Sequence, residues 1–338
     1  MRHINLLQER LEKIQQEFSQ LFNSIKDKTV LITGANGFIG SLLTFSLVKD
    51  VKVFCLVRNI KSMQEQFLRL GGEIKKIHIV ENLGMVTESV DIVIHCASPT
   101  QSSFFLEKPI DTVDIIYKNL KDILEFSIQH RVEKFIFLST MEVYGNLEGE
   151  NIDEDKIGNF NILELRNSYP LSKQLSEFLV NAYSQKYSLK TSILRLTQII
   201  GPGVKIDDKR VYMEFVRSSL KESKIVLATK GDTKRNYIDI FDVITAILFC
   251  IFDGKKSEIY NIANPDIYIS IYDLAKSIAS VLNSSIHFNF NQDTSKYLKT
   301  FKRSLKVKKI QELGWRPLFD INSSINDMIN FVKEETKI

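Results

Sequence analysis

Cysteine is scarce in this 338-residue chain, and its few copies carry no chemically meaningful spacing. Cys55, Cys96 and Cys250 each lie inside an apolar run. They read as small buried hydrophobes in a reducing cytoplasm, which excludes a disulfide-stapled secreted scaffold and a cysteine-rich metal site. Histidine offers a metal nothing either, because His95 ends an apolar run and no second histidine stands at ligand spacing from it. Long apolar runs are missing too. The longest, 243–252, is interrupted by Thr245 and is far too short to span a bilayer. The N-terminus lacks the continuous apolar core of a signal peptide. The net charge of +4 is spread along the chain, so nothing argues for nucleic acid as a partner. Internal repeats and low-complexity linkers are absent. What remains is an ordinary soluble chain, long enough for one large domain or two smaller ones.

What is present begins with glycine at regular spacing. Thr33-Gly34-Ala35-Asn36-Gly37-Phe38-Ile39-Gly40 follows the apolar run 29–32 and precedes a helix-like segment over 41–49. A glycine-rich turn between strand and helix lets backbone N–H groups approach a pyrophosphate, whose charge the helix dipole favours. Gly34, Gly37 and Gly40 stand three apart, unlike the commoner G-x-G-x-x-G form. The flanking strand and helix, more than the glycines alone, separate a dinucleotide-binding turn from one that binds nothing.

From residue 28 onward, apolar runs at 29–33, 51–57, 74–80, 90–96, 133–139 and 190–197 alternate with segments of helical periodicity. That alternation predicts an α/β fold: a Rossmann-type, doubly wound parallel sheet with helices on both faces. After Gly201-Pro202-Gly203 the rhythm changes to short strands and helices. A Lys/Arg-rich helix is expected over 301–313, and a last helix after Trp315-Arg316-Pro317. The reading is a smaller C-terminal substrate lobe interleaved with the first domain. Residues 28–200 with about 234–263 form the dinucleotide-binding domain, and 201–233 with 264–338 form the lobe. Residues 1–27 stand apart. Ile4, Leu7, Leu11, Ile14, Phe18, Leu21 and Ile25 alternate steps of three and four. Such an amphipathic helix either docks on its own domain or pairs with a partner helix.

The end of the second strand bears on the choice of cofactor. An acid there bonds a ribose 2′-hydroxyl, whereas an arginine accommodates a 2′-phosphate. Here the run ends Leu56-Val57-Arg58-Asn59, with no acid and one arginine. That tilts the expectation towards NADP, with NAD beside a surface arginine as the alternative. After the third strand, Glu81-Asn82-Leu83 sits where an adenine edge is read.

The strand over 135–138 delivers Ser139-Thr140-Met141-Glu142-Val143-Tyr144-Gly145. Tyr169-Pro170-Leu171-Ser172-Lys173 then opens a helix, with Asn167 or Ser168 as cap and Pro170 in its first turn. Tyrosine and lysine four apart share one helix face. An ammonium there can lower a phenol whose ordinary pKa is about 10. The result is a general base that strips a hydroxyl proton as hydride leaves the same carbon. Tyr117 and Lys121 have the same spacing, but they lie mid-helix on a segment that reads as packing and solvated surface. Context selects Tyr169 and Lys173.

With His95-Cys96-Ala97-Ser98-Pro99, the stretch 195–203, and Gly231 through Arg235 to Asp242, these motifs give a resemblance. From about Lys28 to Trp315 the chain resembles an extended short-chain dehydrogenase/reductase of the nucleotide-sugar epimerase, dehydratase and decarboxylase group. The resemblance implies that Thr140 bonds the sugar 4-hydroxyl, that Tyr169 takes its proton, and that Lys173 holds the nicotinamide ribose. It implies cofactor contacts from Gly34, Asn36, Gly37, Phe38, Ile39, Gly40, Arg58, Asn82, Leu83, Ala97, Tyr169 and Lys173. Substrate contacts are implied for Ser98, Pro99, Thr140, Met141, Gln198, Arg210 and Arg235. Glu142 occupies the position of the catalytic glutamate of the dehydratases and decarboxylases; a solvated loop carboxylate is the alternative.

Departures from the family pattern sharpen the reading. Where dTDP-glucose 4,6-dehydratases carry an aspartic acid, this chain has Met141, which cannot transfer a proton. UDP-glucuronate decarboxylases and GDP-mannose 4,6-dehydratases have a serine there and keep the glutamate, so Thr140-Met141-Glu142 is more similar to them. The segment Asp207-Asp208-Lys209-Arg210-Val211 also resembles the decarboxylases. Gln198 and Ile116 each replace a family asparagine. The implied activity is transient oxidation of the 4-hydroxyl of a nucleotide-diphosphate sugar on bound NAD(P)+, followed by loss of water or carbon dioxide with Glu142 handling the second step. Epimerisation at position 4, which needs no such glutamate, is the alternative. A non-catalytic NAD(P) sensor has no use for Thr140, Tyr169 and Lys173, and a reductase would release oxidised cofactor each cycle. The resemblance further implies a homodimer through the helices beginning near Pro109 and Tyr169.

Overall fold

The computed structural model describes residues 2–253, 255–290 and 301–336. It opens with α1 (Arg2–Glu17) and α2 (Ser19–Ser24). Strand and helix then alternate through β1 (Thr29–Thr33), α3 (Phe38–Leu47), β2 (Lys52–Leu56), α4 (Ile60–Arg69), β3 (His78–Val80) and β4 (Ile92–His95). Next come α5 (Ser102–Glu107), α6 (Pro109–Gln129), β5 (Lys134–Thr140), β6 (Gly149–Ile152), α7 (Ser168–Tyr187) and β7 (Lys190–Leu196). The chain continues with β8 (Gln198–Ile200), α8 (Val211–Glu222), β9 (Lys224–Leu227), β10 (Lys234–Asp239), α9 (Ile240–Phe252) and β11 (Ser257–Ile262). It closes with β12 (Tyr268–Ser270), α10 (Ile271–Leu282), β13 (Ser285–Phe288), β14 (Lys302–Leu305), α11 (Lys308–Gln311) and α12 (Ile321–Thr336).

The apolar runs expected as strands pair into one parallel sheet in the order β11-β7-β5-β4-β1-β2-β3. Helices cover both faces, which is why these strands are apolar throughout and do not alternate. The order reverses direction between β1 and β4, the switch point of a doubly wound sheet, where a crevice opens beyond the strands' C-terminal ends. Register lines those ends up. Thr33 lies beside Leu56 and His95, Leu56 beside Val80, and Thr140 beside Leu196. Gly34, Arg58, Asn82, Ala97 and Glu142 therefore all follow strands that end on one edge.

A second sheet runs β12-β10-β14-β6, with β8 on β10, and β13 pairs β9 in a small third sheet. Two strands differ from the expected division. β8 and β10 hydrogen-bond in this second sheet and not in the first. β10 then runs straight into α9, whose first turn is capped by Asp239 accepting from the Phe241 N–H at 2.8 Å. At residue 239 the chain thus passes from a strand of the second sheet into α9, which packs on β5 of the first. The helix expected over 301–313 is also corrected. Residues 302–305 form β14 between β10 and β6, with Ser304 and Leu305 buried, and only Lys308–Gln311 is helical. A four-residue strand gains its hydrogen bonds from distant partners, which local composition does not register. Residues 291–300, assigned to the lobe, lie outside the described residues.

The stripe over 1–27 is buried intramolecularly. Leu7, Leu11 and Ile14 are fully covered, and the helix breaks at Phe18 so that Leu21, Phe22 and Ile25 reach the core as a second segment. Each such side chain contributes about 1.5–3 kcal/mol by leaving water. α1 lies on α12 and α9. Arg10, also buried, donates to Asp239 at 2.6 Å and to Asp327 at 2.7 Å. Among the described residues no helix is long and apolar enough to cross a membrane.

Candidate active site

The glycine turn is built by contact, residue by residue. Gly34 has φ +64, and a Cβ there would stand 2.8 Å from the Ala97 Cα at the end of β4. A Cβ on Gly40 would stand 2.4 Å from the Gly34 carbonyl oxygen. Gly37 begins α3 without a side-chain cap, and the first turn of α3 holds no acid. The N–H groups of that turn are therefore free of intrahelical and capping acceptors, a donor set matched to an anion. Asn36 Nδ2 donates to Ser62 Oγ at 3.3 Å and ties the turn to α4. His95, buried, shares a 2.9 Å hydrogen bond between Nδ1 and Thr33 Oγ1, and Thr33 Oγ1 also accepts from the Ala97 N–H at 3.1 Å. Burial first, and the Lys173 charge second, push His95 down to about 3, so it serves as a neutral brace. Arg58 and Asn82 stand exposed beyond β2 and β3, and Arg58 makes no ion pair among the described residues.

Thr140 ends β5, and its Oγ1 accepts from the Glu142 N–H at 3.2 Å, fixing the short turn Met141–Tyr144. Tyr169 enters from the first turn of α7, 8% exposed, its ring stacked on Phe105 at 4.4 Å and 6°. Such a pair contributes about 0.5–1.5 kcal/mol beyond area burial. Thr140 stands near enough to the Tyr169 hydroxyl to favour its ionised form, against the effect of burial. Lys173, 3% exposed, donates to the Leu138 carbonyl at 2.8 Å and sits 4.7 Å over the Phe137 ring. No hydrogen bond joins Tyr169 to Lys173 among the described residues. The lowered phenol expected from the lysine is absent: burial, then the Glu142 charge, hold Tyr169 above its ordinary value. Burial also lowers Lys173 to about 8, opposed by the Glu177 charge.

Several side chains that sequence reasoning passed over complete this centre. Arg166 Nη1 donates to Glu142 Oε2 at 2.6 Å, and its guanidinium lies 5.5 Å from the Phe105 ring. Behind β5, Glu177 accepts from Ser139 Oγ at 2.5 Å and from Arg195 Nη2 at 2.7 Å, a buried pair. Glu177 stands four residues beyond Lys173, so the helix-face rule that selected Tyr169 and Lys173 could have found it. Arg303, from β14, donates to the carbonyls of Leu147 and Met141 at 2.8 and 3.0 Å and to that of Gly145, clamping the loop after Thr140. No local signal marks Arg303.

The lobe supplies the remaining expected residues. Arg235 pairs in register with Arg303, and both guanidiniums lie near 5 Å from the Phe301 ring. Arg235 Nε is buried without a hydrogen-bond partner among the described residues, a donor that suits a ligand oxygen. Arg210 is held by Asp208 at 2.7 and 2.8 Å and lies 4.9 Å from the ring of Phe38, the first residue of α3. Gln198 heads β8 and Ser98 Oγ donates to the Pro99 carbonyl at 3.3 Å, both partly covered. Met141 is the exception among the substrate residues. Its side chain is buried, with the sulfur accepting from Thr197 Oγ1 at 3.3 Å, so it belongs to the core. The cap expected from Asn167 or Ser168 is absent too: Asn167 Nδ2 donates to the Asn161 carbonyl instead.

Residues 30–263 match the model of the NAD dependent epimerase/dehydratase family. This chain belongs to that family. Its curated relatives include dTDP-D-glucose 4,6-dehydratase of Homo sapiens, 26% identical over 325 residues, which cover 91% of this chain and 90% of the relative. UDP-glucuronic acid decarboxylase 1 of Xenopus tropicalis is 24% identical over 341 residues, covering 97% of this chain and 79% of the relative. Among solved structures, dTDP-glucose 4,6-dehydratase from Streptomyces venezuelae with NAD bound superposes with a TM-score of 0.77 at 20% identity. That match covers 90% of this chain and 97% of the other and speaks for the fold. Enzymes of this family are NAD-dependent, and this chain is one of them. The uncapped α3 N-terminus, the glycine cradle and the unpaired Arg235 Nε fit a dinucleotide and a diphosphate ligand.

Proposed function

We propose that this enzyme acts on a nucleotide-diphosphate sugar, oxidising its 4-hydroxyl transiently and then eliminating water or carbon dioxide. The convergence of Thr140, Glu142 and Tyr169 at one strand end carries the reading. The bound dinucleotide supplies a hydride acceptor in the first step and returns the hydride in the last. Residues 34–40 hold its pyrophosphate against the α3 N-terminus, with Ala97 against the turn and Asn82 and Leu83 at the adenine side. Lys173 holds the ribose. Thr140 orients the sugar 4-hydroxyl, and Tyr169 takes its proton once the positive charge of an oxidised nicotinamide, when bound, offsets the burial that otherwise keeps the phenol protonated. Oxidation at position 4 acidifies carbon 5, where Glu142 manages the proton of the second step. Arg235 and Arg210 bind the diphosphate, with Gln198, Ser98 and Pro99 lining the sugar side. The free cysteines fit a reducing cytoplasm.

The test is a panel of UDP-, dTDP-, GDP- and CDP-sugars with products followed by mass. Loss of 18 or 44 mass units, about one water or one carbon dioxide, supports the reading, and a retained mass overturns it. Unchanged mass with inverted position 4 favours a second reading, a 4-epimerase in which the Glu142–Arg166 pair is only a brace. Arg58 supports a 2′-phosphate on the cofactor. Arg58→Ala is expected to weaken NADP binding about tenfold and leave NAD unchanged, by fluorescence titration. Equal affinities before and after would assign NAD.

The same fold exposes a face that supports a homodimer. Ile110, Val113 and Tyr117 line one side of α6, and Leu175 and Phe178 one side of α7, all large apolar side chains left in water. α6 and α7 pack together, so the two stripes form one surface.

A further inference from the structure

Glu142 is reached by groups from three elements. The backbone turn after β5 fixes its N–H to Thr140. Arg303 from β14 and Tyr169 from α7 lie close enough to feel its charge. Arg166, in the turn Leu165–Asn167 just ahead of α7, makes the direct bond to its carboxylate at 2.6 Å. Arg303 spends its hydrogen bonds on the carbonyls of 141, 145 and 147. Among the described residues Arg166 alone makes a direct bond to the carboxylate, and both members of that pair are partly buried. The same guanidinium lies against Phe105, whose ring also stacks on that of Tyr169. One side chain thus sets the positions of the two groups that act on neighbouring carbons of the sugar. A lone glutamate on a loop samples several rotamers, whereas a charge-assisted bond to a packed arginine selects one.

We propose that Arg166 is a positioning residue for the second step, aiming the Glu142 carboxylate at carbon 5 of the oxidised sugar beside Tyr169. This rests on the elimination reading above. In loss of water, the carbon 5–hydrogen bond breaks and its electron pair conjugates with the 4-keto carbonyl. The proton passes to Glu142, which hands it to the departing 6-hydroxyl so that water leaves. The 5,6-double bond left behind is closed by the stored hydride at carbon 6 and a proton at carbon 5. In loss of carbon dioxide, the bond from carbon 5 to the carboxyl carbon breaks instead. Carbon 5 then takes a proton from solvent, relayed by Glu142. Neither route needs an outside oxidant, because the hydride taken from carbon 4 is given back to the same sugar, at carbon 6 after loss of water and at carbon 4 after loss of carbon dioxide. Arg166 touches no reacting atom in either.

The test compares Arg166→Gln, Arg166→Lys and Glu142→Gln in the holoenzyme, with the 4-keto sugar trapped by reduction and solvent deuterium read at carbon 5. Arg166→Gln is expected to lower kcat for product at least about tenfold with KM within about twofold. The 4-keto sugar that still carries its 6-hydroxyl or carboxylate should accumulate, and deuterium at carbon 5 should fall. Arg166→Lys keeps a charge without the planar fork and should recover part of the loss. Because Arg166→Gln could misfold, thermal melting accompanies each variant, and Arg166→Lys alone still reads the split between the two steps. Product formed by Arg166→Gln at the parent rate, with Glu142→Gln inactive, overturns the role of Arg166 and spares the elimination reading. Equal loss of both steps without recovery by lysine assigns Arg166 to packing and also overturns the proposal. Unchanged product from Glu142→Gln overturns the elimination reading itself.

Discussion

Two helices lying side by side carry the same pair at the same spacing: Tyr117 and Lys121 on α6, Tyr169 and Lys173 on α7. Tyr117 is 37% exposed, and Lys121 reaches Glu125 at 3.5 Å in solvent. Tyr169 and Lys173 are buried, one under Phe105 and the other against the Leu138 carbonyl. Helical spacing sets a shared face in both cases and decides nothing more. What differs is where each helix begins. α7 starts beside the end of β5, where Thr140 and Glu142 project, whereas Tyr117 falls mid-helix. Chemistry follows the strand ends, and the helix lends direction.

Breaking this contrast is most direct at the phenols. Tyr169→Phe is expected to cut turnover by about 10²–10⁴, the usual contribution of a positioned general base, while Tyr117→Phe stays within about twofold. Comparable losses in initial-rate assays would erase the distinction between the helices. The lysines sharpen it through stability. With its pKa at about 8 in the fold and an ordinary value of 10.5, the buried Lys173 ammonium costs roughly 3 kcal/mol at neutral pH. Between those values the unfolded chain binds more protons than the folded one, so parent stability rises with pH across that window. Lys173→Met forfeits the bond to the Leu138 carbonyl, worth about 1 kcal/mol, and should still gain about 2 kcal/mol near pH 7. The gain should shrink as pH climbs from about 8 to 10.5 in urea melts, while activity is lost throughout. Lys121→Met should move neither quantity.

The smallest expected effect concerns the outer surface of the same two helices. Ile110, 77% exposed, and Phe178, 65% exposed, lie with Tyr117 on the face proposed to pair two copies. Ile110→Asp with Phe178→Glu should weaken self-association at least about tenfold in sedimentation, with far-UV circular dichroism unchanged. An unchanged sedimentation coefficient would leave Tyr117 as surface only.

Sequence periodicity sufficed for the main sheet because its strands are buried on both faces and read as unbroken apolar runs, as 29–33 and 133–139 do. It also placed the glycine turn between a strand and a helix and Tyr169 at the start of a helix, because their neighbours in space are neighbours in sequence or follow a strand end. It failed where partners come from afar. β14 reads as part of a basic helix until β10 and β6 flank it. Arg303 grips a loop that precedes it by over 150 residues, and Met141 turns inward because Thr197 and the core receive it. The relation between Tyr169 and Lys173 was legible as a shared face but not as an energy. Phe105, Glu142 and Glu177 set that energy, and only folding brings them there.

Arg10 binds Asp239 and Asp327, which leave the ribosome 229 and 317 residues after it. The helix over 2–17 must therefore wait, its apolar stripe uncovered, until the chain has been synthesised past residue 327. During translation that stripe is an open target for chaperones and for its own copies on neighbouring ribosomes. Docking of α1 on α12 is then a late event, reached only after both sheets have had time to form.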